Sequence, residues 1–481
     1  MSNPLSLVPL ALAAGGGRIG AAGDAAPFDA QQLVAAGLTL LQRSAPLVRA
    51  LSGRRAAILL PTSPHFLVAL AASEGRGAVL VNPLAAPAEV AFQCHDAGVG
   101  AVFTVSALAS RVPAGLPTVL LDDAPRSARV ATPDRVQTVD LGSHHGLTLE
   151  GEPDVAGRDE EAVVVYTSAM RGTPLGAVLT HRNLLANARG AIDAIGTRAD
   201  DHLLALLPYS HLFGLTVTAS APLLVGARVS TLERFHPVKG AALLVDQGIS
   251  VLVGVPAIYH GLLTGLGRAG MSLRDSALRL CICGGAPLSV ELQERWADAT
   301  GVELRQGYGL TEAAPVCLYN RSDRPNRRGT LGTTFPGVEV SIREGGAEQP
   351  DDTPGEICVR GESVFPGYLR DDADGLPHAD GWLHTGDEGV RDRDGSVRFR
   401  RVRKAMFTRN GFNIYPRELE RVVEQLPGVA RARVTARPDP VKEHDIVLTV
   451  WGALAEADVR AWCASRLSAY KQPATIEIVR E

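Results

Sequence analysis

The stretch QGYGLTE at residues 306–312 decides how the rest of the chain is interpreted. It brings two glycines, an aromatic ring, a hydroxyl and a carboxylate into one short loop. Such a loop can stack a flat ring on Tyr308 and can offer Thr311 and Glu312 to a phosphate and its Mg²⁺. The stretch therefore predicts a nucleotide-binding loop.

Two further stretches carry polar groups of the same kind. In GWLHTGD at residues 381–387, Asp387 follows a glycine and could bind both hydroxyls of a ribose, although Thr-Gly-Asp by itself is also typical of a β-turn. In YTSAMRGTPLG at residues 166–176, hydroxyls and backbone amides between a strand pattern and a helical pattern can hold an anion. For residues 166–176, the alternative interpretation is an ordinary connection between a strand and a helix.

Around these stretches, short apolar runs alternate with helical patterns through the first 300 residues. This alternation predicts an α/β fold with mainly parallel sheets. The predicted strands cover residues 56–60, 78–81, 101–105, 118–121, 162–166, 203–207, 251–253 and 278–283, and the predicted helices cover residues 31–51, 64–73, 181–194 and 288–300.

The pattern changes twice towards the end of the chain. After Arg321, short alternating segments separated by Gly and Pro favour antiparallel strands and a subdomain boundary. From Pro416 onward the sequence predicts a small α+β unit, with a helix that begins at the proline, two strands, a helix over about residues 456–467 and a last strand.

Composition excludes several classes of protein. The chain has 481 residues, of which 46% are hydrophobic, and this predicts several domains with a large core rather than a disordered protein. Its 48 basic and 52 acidic residues form no basic stripe, so no nucleic-acid partner is expected. Six cysteines without a CxxC pair indicate a reducing cytoplasm. No apolar run reaches about 18 residues, so no transmembrane segment is expected.

Two patterns near the first residue have competing interpretations. The apolar residues 4–14 resemble a secretion signal, but no Lys or Arg precedes them and Pro9 interrupts them, so a buried first segment is favoured. Residues 15–20, GGGRIG, match GxGxxG, but the Gly and Pro that follow suit a turn rather than the helix that a dinucleotide site needs.

Taken together, the motifs resemble those of the adenylate-forming (ANL) superfamily, which includes acyl-CoA synthetases, firefly luciferase and the adenylation domains of peptide synthetases. The resemblance covers almost the whole chain and follows the family's order. The matching blocks are YTS…PLGAVLTHRNL from residue 166, LPYSHLFGLT at 207–216, GVPAIY at 254–259, ICGGAPLS at 282–289, QGYGLTEA at 306–313, GEICVRGESVFPGY at 355–368, GWLHTGD at 381–387 and NGFNIYPRELE at 410–420.

The resemblance implies a fold and a reaction. It implies a large N-terminal α/β domain over residues 1–402, with parallel sheets flanked by helices and a β-rich subdomain at about 321–400. A hinge at 403–404 and a truncated α+β C-terminal lid domain over 405–481 follow. The implied reaction uses ATP and Mg²⁺ to turn a small carboxylic acid into an acyl-adenylate. The acyl group then passes to the thiol of coenzyme A, or to a phosphopantetheine thiol on an acyl carrier protein.

The resemblance also implies roles for individual residues. The implied catalytic residues are Thr167, Ser168, Arg171, His211 and Thr311, and the implied Mg²⁺ ligand is Glu312. The implied cofactor-binding residues are Gly284, Gly285, Ala286, Tyr308, Gly309, Asp387, Arg401, Arg403 and Gly411. Tyr308 would stack on the adenine and Asp387 would bind the ribose, so Tyr308→Phe is expected to cost little. His211 and residues 255–259 would form walls of the acid pocket, and Gly411 and Phe412 would meet the pantetheine channel during thiol transfer.

The phosphate loop departs from the family's pattern. It carries Ala169, Met170 and Leu175 where the family has a glycine, a hydroxyl residue and a lysine. The alanine narrows a place where backbone should approach phosphate closely. Arg171 restores a positive charge nearby, although its planar group is not equivalent to a lysine ammonium.

Two departures concern the lid. A count without gaps puts Val402 where the family has a ribose-binding arginine, with Arg401 and Arg403 beside it, and Lys404 falls near the hinge. The given sequence stops at Glu481, before the segment in which the family carries its adenylation lysine. Adenylation is therefore expected to be the slower half-reaction, because losing one preorganised donor costs roughly 10²–10³ in rate.

The leading prediction is an AMP-forming ligase of the acyl-CoA synthetase type that acts in the cytoplasm on an acyl or aryl acid. Two alternatives stay open on the sequence alone. One is a catalytically weakened homologue that binds a nucleotide or acyl ligand as a scaffold or regulator. The other is an enzyme with repurposed chemistry, such as acyl transfer from a ready-made acyl-adenylate. The intact QGYGLTE and HTGD stretches favour nucleotide binding, whereas the altered loop favours the alternatives.

Overall fold

The computed structural model describes residues 7–73, 77–142, 159–167, 173–370, 381–403, 406–439 and 441–480. Its helices are α1 (Leu7–Ala14), α2 (Ala30–Arg43), α3 (Ala45–Leu51), α4 (His65–Ala72), α5 (Pro87–Asp96), α6 (His181–Ile195), α7 (Ala221–Leu224), α8 (Pro237–Asp246), α9 (Pro256–Ala269), α10 (Val290–Thr300), α11 (Pro416–Glu424) and α12 (Glu456–Arg466). Its strands are β1 (Arg18–Ala21), β2 (Phe28–Asp29), β3 (Arg55–Ile58), β4 (Ala78–Leu80), β5 (Val99–Thr104), β6 (Thr118–Leu120), β7 (Ser127–Ala131), β8 (Val136–Asp140), β9 (Glu161–Thr167), β10 (Leu175–Thr180), β11 (His202–Ala205), β12 (Arg228–Thr231), β13 (Val251–Gly254), β14 (Leu280–Cys283), β15 (Leu304–Gly309), β16 (Val316–Tyr319), β17 (Thr333–Thr334), β18 (Val338–Glu344), β19 (Ala347–Glu348), β20 (Pro354–Gly361), β21 (Gly367–Tyr368), β22 (Leu383–Arg391), β23 (Val397–Val402), β24 (Phe407–Arg409), β25 (Phe412–Ile414), β26 (Val429–Asp439), β27 (Glu443–Gly452) and β28 (Thr475–Val479).

Two nine-stranded sheets carry the first part of the chain. The first has the order β17-β16-β15-β14-β13-β11-β12-β1-β2, and its strands from β15 to β1 run parallel. The second has the order β21-β10-β9-β4-β3-β5-β6-β7-β8, and its strands from β9 to β6 run parallel. Antiparallel strands complete both sheets at their edges. The predicted α/β class with parallel central strands is confirmed.

Helix α6 contacts both sheets and shows how local sequence sets an element. It begins with a reciprocal cap, because Thr180 Oγ1 accepts the backbone N–H of Asn183 and the Asn183 side chain accepts the N–H of Thr180. It ends at Gly196, whose φ of 68° is easily adopted only by glycine. On its inner face, Asn187 donates to the Val316 carbonyl and accepts the Val316 N–H. The helix thereby anchors the loop that follows β15.

The remaining sheets belong to the last third of the chain. Strands β19-β18-β20-β22-β23 form an antiparallel sheet, as the alternating pattern after Arg321 predicts. Beyond it, β26, β27 and β28 form a small sheet that packs with α11 and α12. The two helices and this sheet enclose a separate apolar cluster that includes Leu419, Val423, Ile446 and Val459. This second core is the small α+β unit expected from Pro416 onward, while the domain boundary at residue 402 stays a prediction and Lys404 lies outside the described residues.

Some details differ from the expectations or sharpen them. The helix predicted over residues 31–51 is two helices, because Pro46 in the first turn of α3 has no N–H with which to continue α2. The apolar first segment is helix α1, whose Leu12 is fully buried in the core. Gly16 turns the chain with a φ of 71° before β1 begins, which agrees with a turn rather than a dinucleotide loop. Among the described helices, none is long and apolar enough to cross a membrane.

Candidate nucleotide and acid site

A cavity of about 1100 Å³ lies between the large domain and the lid. Its walls combine the loop after β15, the end of β22 and the lid loop around β25. The predicted site residues that line it are Thr167, His211, Gly285, Ala286, Tyr308, Gly309, Thr311, Glu312, Asp387 and Gly411. The fold therefore brings into one cavity side chains that stand more than 200 residues apart in the sequence.

Tyr308 and Asp387 meet at the nucleotide end of the cavity. The phenol donates a hydrogen bond to Asp387 Oδ2 over 2.7 Å. Burial, together with the nearby charge of Asp387, raises the pKa of Tyr308 well above its ordinary value, so the hydroxyl stays protonated as a donor. A carboxylate can accept about four hydrogen bonds, so this contact leaves room for ribose hydroxyls. Tyr308 thus offers a ring for stacking, and its hydroxyl also orients Asp387, the residue predicted to bind the ribose.

Glu312 faces the same cavity and is held by a second tyrosine. The hydroxyl of Tyr368 donates to Glu312 Oε1 over 2.9 Å, and the backbone N–H of Phe365 donates to the Glu312 carbonyl. Burial raises the pKa of Tyr368, which therefore also remains a donor. Carboxylate oxygens are the ligands that Mg²⁺ prefers, so the half-buried carboxylate of Glu312, which lines the cavity, fits the metal expected at this position.

The loop between Glu312 and β15 depends on a glycine for a steric reason. A Cβ at Gly309 would lie only 1.9 Å from the carbonyl oxygen of Pro315, so any other residue would push the loop apart. Thr311 follows this close approach and lines the cavity. The second glycine of QGYGLTE is therefore required by packing, and it sets where Thr311 and Glu312 stand.

The acid end of the cavity is apolar. The ring of Phe213 lies against Gly284, where an added Cβ would come within 3.1 Å of its Cζ, so Gly284 supports the pocket from behind. His211 lines the cavity and is exposed there, and desolvation by the surrounding protein lowers the pKa of its imidazole, which favours the neutral form. The predicted wall at residues 255–259 contributes less than expected, because Tyr259 is fully buried and bonds to the Ile282 carbonyl.

The phosphate loop is only partly described. Thr167 ends β9 and lines the cavity, directly opposite Leu175 in the antiparallel pair of β9 and β10. The predicted catalytic residues Ser168 and Arg171 lie outside the described residues. Their roles therefore stay predictions.

Strand β23 places the arginines of the hinge region away from the nucleotide end. Val402 is the cross-strand partner of Asp387 and lines the cavity, because opposite residues in a pair share one face of the sheet. Arg401 and Arg403 lie on the other face, and both donate to Glu388, over 3.0 and 3.3 Å. In this lid position, neither arginine lines the cavity, which differs from the implied ribose contact.

The lid loop closes the acid end. The ring centroids of Phe412 and His211 are 5.5 Å apart, and Phe412 stacks on Tyr470 at 4.2 Å with an interplanar angle of 18°. Gly411 has a φ of 77° and lies so close to Val255 that an added Cβ would fall 2.7 Å from its Cγ1. The loop thus contacts His211 and Val255 of the large domain, while the predicted meeting of Gly411 and Phe412 with a pantetheine channel stays a prediction.

Sequence reasoning gave no role to Tyr368 or Val402, although Val402 lines the cavity and Tyr368 donates a hydrogen bond to Glu312. Tyr368 stands inside the matching block GEICVRGESVFPGY, so the only available signal was an aromatic residue within such a block. That signal does not tell a pocket residue from a core residue.

Comparison with known proteins adds to this geometry. The family model for AMP-binding enzymes matches residues 47–369, and the model for the AMP-binding enzyme C-terminal domain matches residues 418–481. The chain belongs to the AMP-binding enzyme family. Within it, the chain is an AMP-forming acid–thiol ligase of the acyl-CoA synthetase type, and the predicted adenylate-forming superfamily is confirmed.

Three relatives illustrate the similarity. A long-chain-fatty-acid–CoA ligase of Salmonella typhimurium is 30% identical over 466 residues, covering 89% of this chain and 82% of the relative. 4-Coumarate–CoA ligase 1 of Oryza sativa subsp. japonica is 30% identical over 440 residues, covering 86% and 77%. A solved malonyl-CoA ligase with methylmalonyl-CoA and AMP bound is 29% identical with a TM-score of 0.78, covering 100% of this chain and 99% of that one.

Proposed function

We propose that this ligase activates an apolar monocarboxylic acid with ATP, holds Mg²⁺ on Glu312 and passes the acyl group to coenzyme A. The observation that carries the proposal is a single cavity with two different ends. Asp387 and Glu312, each held by a tyrosine hydroxyl, form a polar end. Phe213 and neutral His211 form an apolar end beneath the lid loop.

In the first half-reaction, a carboxylate oxygen of the acid attacks the α-phosphorus of ATP, and the bond from that phosphorus to pyrophosphate breaks. Two anions must approach each other, so the site has to cancel charge and hold the reactants in line. The hydroxyls of Thr167 and Thr311 line the cavity and can donate to phosphate oxygens. Mg²⁺, when bound on Glu312, supplies positive charge to the phosphates.

In the second half-reaction, the thiol gives its proton to solvent and its sulfur attacks the acyl carbon. The bond between that carbon and the AMP oxygen breaks, and AMP leaves. Phe412 lies over His211 in the present lid position, so the lid loop borders the end of the cavity that would hold the acyl group. Tyr308 and Asp387 would hold the leaving nucleotide.

The charges of the cavity favour an acid with a single carboxylate. Among the described lining residues, the Lys and Arg side chains are Lys471 and Arg466, and both belong to the lid. The acid end offers neutral His211 and apolar side chains instead. A second carboxylate, as in malonate, would be desolvated there without a partner, which costs affinity. The solved malonyl-CoA ligase shares the fold of this chain, but we propose a different class of acid substrate for this chain.

The proposal is tested by acid-dependent ATP–pyrophosphate exchange over straight-chain, aryl and dicarboxylic acids, followed by thioester detection with coenzyme A or a phosphopantetheinylated carrier protein. We expect exchange with apolar monocarboxylic acids, a kcat/KM at least roughly tenfold lower for malonate, and thioester formation with coenzyme A. Asp387→Ala serves as the inactive control. Malonate as the best acid, or no exchange with any acid, would contradict the proposal.

A further inference from the structure

Four residues form a charged contact between the two domains on the wall of the same cavity, and none of them has been given a role towards the reacting atoms. The ammonium of Lys471, in the lid, lies 2.9 Å from Glu89 Oε1 on α5 of the large domain and 2.5 Å from Glu418 Oε1 on α11 of the lid. The hydroxyl of Ser468 donates to the second oxygen of Glu89. We call Glu89, Glu418, Ser468 and Lys471 the interdomain latch.

The centre of the latch is buried. The lid contributes one cation, Lys471, and one anion, Glu418, whereas the large domain contributes a single anion, Glu89. Lys471 is 5% exposed and Glu418 is 4% exposed. Burial by itself would lower the pKa of Lys471, but the neighbouring Tyr470, Glu418 and Glu89 outweigh it and raise the pKa, so the ammonium stays charged. Glu418 remains with Lys471 whenever the lid moves, because both are lid residues. Glu89 is the partner that the lid loses when the domains separate.

Glu89 is oriented before the lid arrives. Its Oε2 accepts the backbone N–H of Ala86 over 2.8 Å, which is the capping contact at the start of α5. The carboxylate is therefore held by its own helix and presents its remaining acceptor positions to the lid. Such preorganisation strengthens a docking contact, because little side-chain freedom is lost when the partner binds.

The latch is directly connected to the loop that closes the active site. Tyr470 stands between Ser468 and Lys471 in the sequence, and its ring stacks on Phe412 at 4.2 Å. Phe412 in turn lies over His211. A lid held at Glu89 therefore also holds Phe412 above the acid pocket.

We propose that Glu89 is a positioning residue for the thiol-transfer half-reaction, and that it acts by docking Lys471 and Ser468 so that the lid loop stays over the acid pocket. The inference rests on the proposed two-step reaction and on the lid rotation between its two half-reactions that the family resemblance implies. Loss of the Glu89 charge should then slow thiol transfer and leave adenylation unchanged or faster.

The test uses the full chain with Glu89→Gln, which keeps the capping acceptor and removes the charge. Lys471 is less suitable, because its loss would leave Glu418 buried without a cation. Glu339→Gln is the matched control, since Glu339 pairs with Arg360 within one sheet of the large domain. Thioester formation from pre-made acyl-adenylate should fall roughly fivefold to tenfold in Glu89→Gln, while ATP–pyrophosphate exchange should not fall and the control should match the unaltered protein.

A second measurement reports the lid position without any activity. All six native cysteines are buried, so spin labels can be placed on Asp134→Cys and Ala461→Cys, two exposed sites on the large domain and the lid. In Glu89→Gln, the distance distribution should lose the docked population, and Glu339→Gln should leave it intact. An unchanged distribution with an unchanged transfer rate, or equal losses in both half-reactions, would overturn the inference. If no acid supports exchange, the proposed function fails, whereas the label distances still decide the docking role of Glu89.

Discussion

Replacing Tyr308 by phenylalanine keeps the ring and removes only the hydroxyl. Stacking needs the ring alone, so sequence reasoning expects this change to cost little. The structure alters that expectation, because the hydroxyl lies 2.7 Å from Asp387 Oδ2 and orients the carboxylate. A hydrogen bond to a charged group contributes about 1.5–3 kcal/mol. Water in the open cavity will replace part of it, so we expect a loss of about 1–1.5 kcal/mol, or roughly fivefold to tenfold in the Kd for AMP.

Titration calorimetry with AMP measures this effect directly, with Asp387→Ala and Tyr319→Phe beside it. Tyr319 pairs with Ser322 at 3.2 Å and does not line the cavity, so Tyr319→Phe should bind AMP as the unaltered protein does. Asp387→Ala should bind most weakly, because ribose hydroxyls then lack their acceptor. An unchanged Kd for Tyr308→Phe together with a strong loss for Asp387→Ala would refute the idea that the hydroxyl supports Asp387.

Other residues yield sharp expectations as well. Glu312→Gln should raise the Mg²⁺ concentration needed for half-maximal exchange at least roughly tenfold, because a hard cation prefers a carboxylate, and a response equal to that of Tyr368→Phe would argue against a metal role. His202, 8% exposed and bonded to Ser230, has a pKa lowered by burial to about 4 from 6.5, so the unfolded chain takes up a proton first as the pH falls. The protein should therefore lose up to about 3 kcal/mol of unfolding free energy between about pH 6.5 and pH 4, and His202→Gln should show a smaller loss in urea titrations at the two pH values. Burial raises the pKa of Glu443, whose ionised form is therefore disfavoured at neutral pH. Glu443→Gln should raise the unfolding free energy at pH 7, with the gain shrinking as the pH falls towards the ordinary carboxyl pKa; a lower stability at pH 7 would contradict this cause.

Much of the fold follows from local patterns in the chain. Apolar runs such as residues 162–166 and 251–253 are strands in the structure, because a strand buried on both faces needs continuous apolar side chains. The start of α11 at Pro416 and the cap of α6 at Thr180 are equally local, since each depends on residues within one turn of the helix. The motif blocks likewise indicate which residues to examine, and most of the described ones line one cavity.

The contacts between those residues depend on the tertiary structure. Tyr308 and Asp387 are 79 positions apart, and Lys471 and Glu89 are 382 apart, so no local pattern brings them together. The face of β23 is a second example. Successive side chains of a strand point to opposite faces, so Val402 and its arginine neighbours point to different faces of the sheet. The sequence does not indicate which of the two faces lines the cavity. That choice is made by the pairing of Val402 with Asp387, because residues opposite each other in a sheet point to the same side.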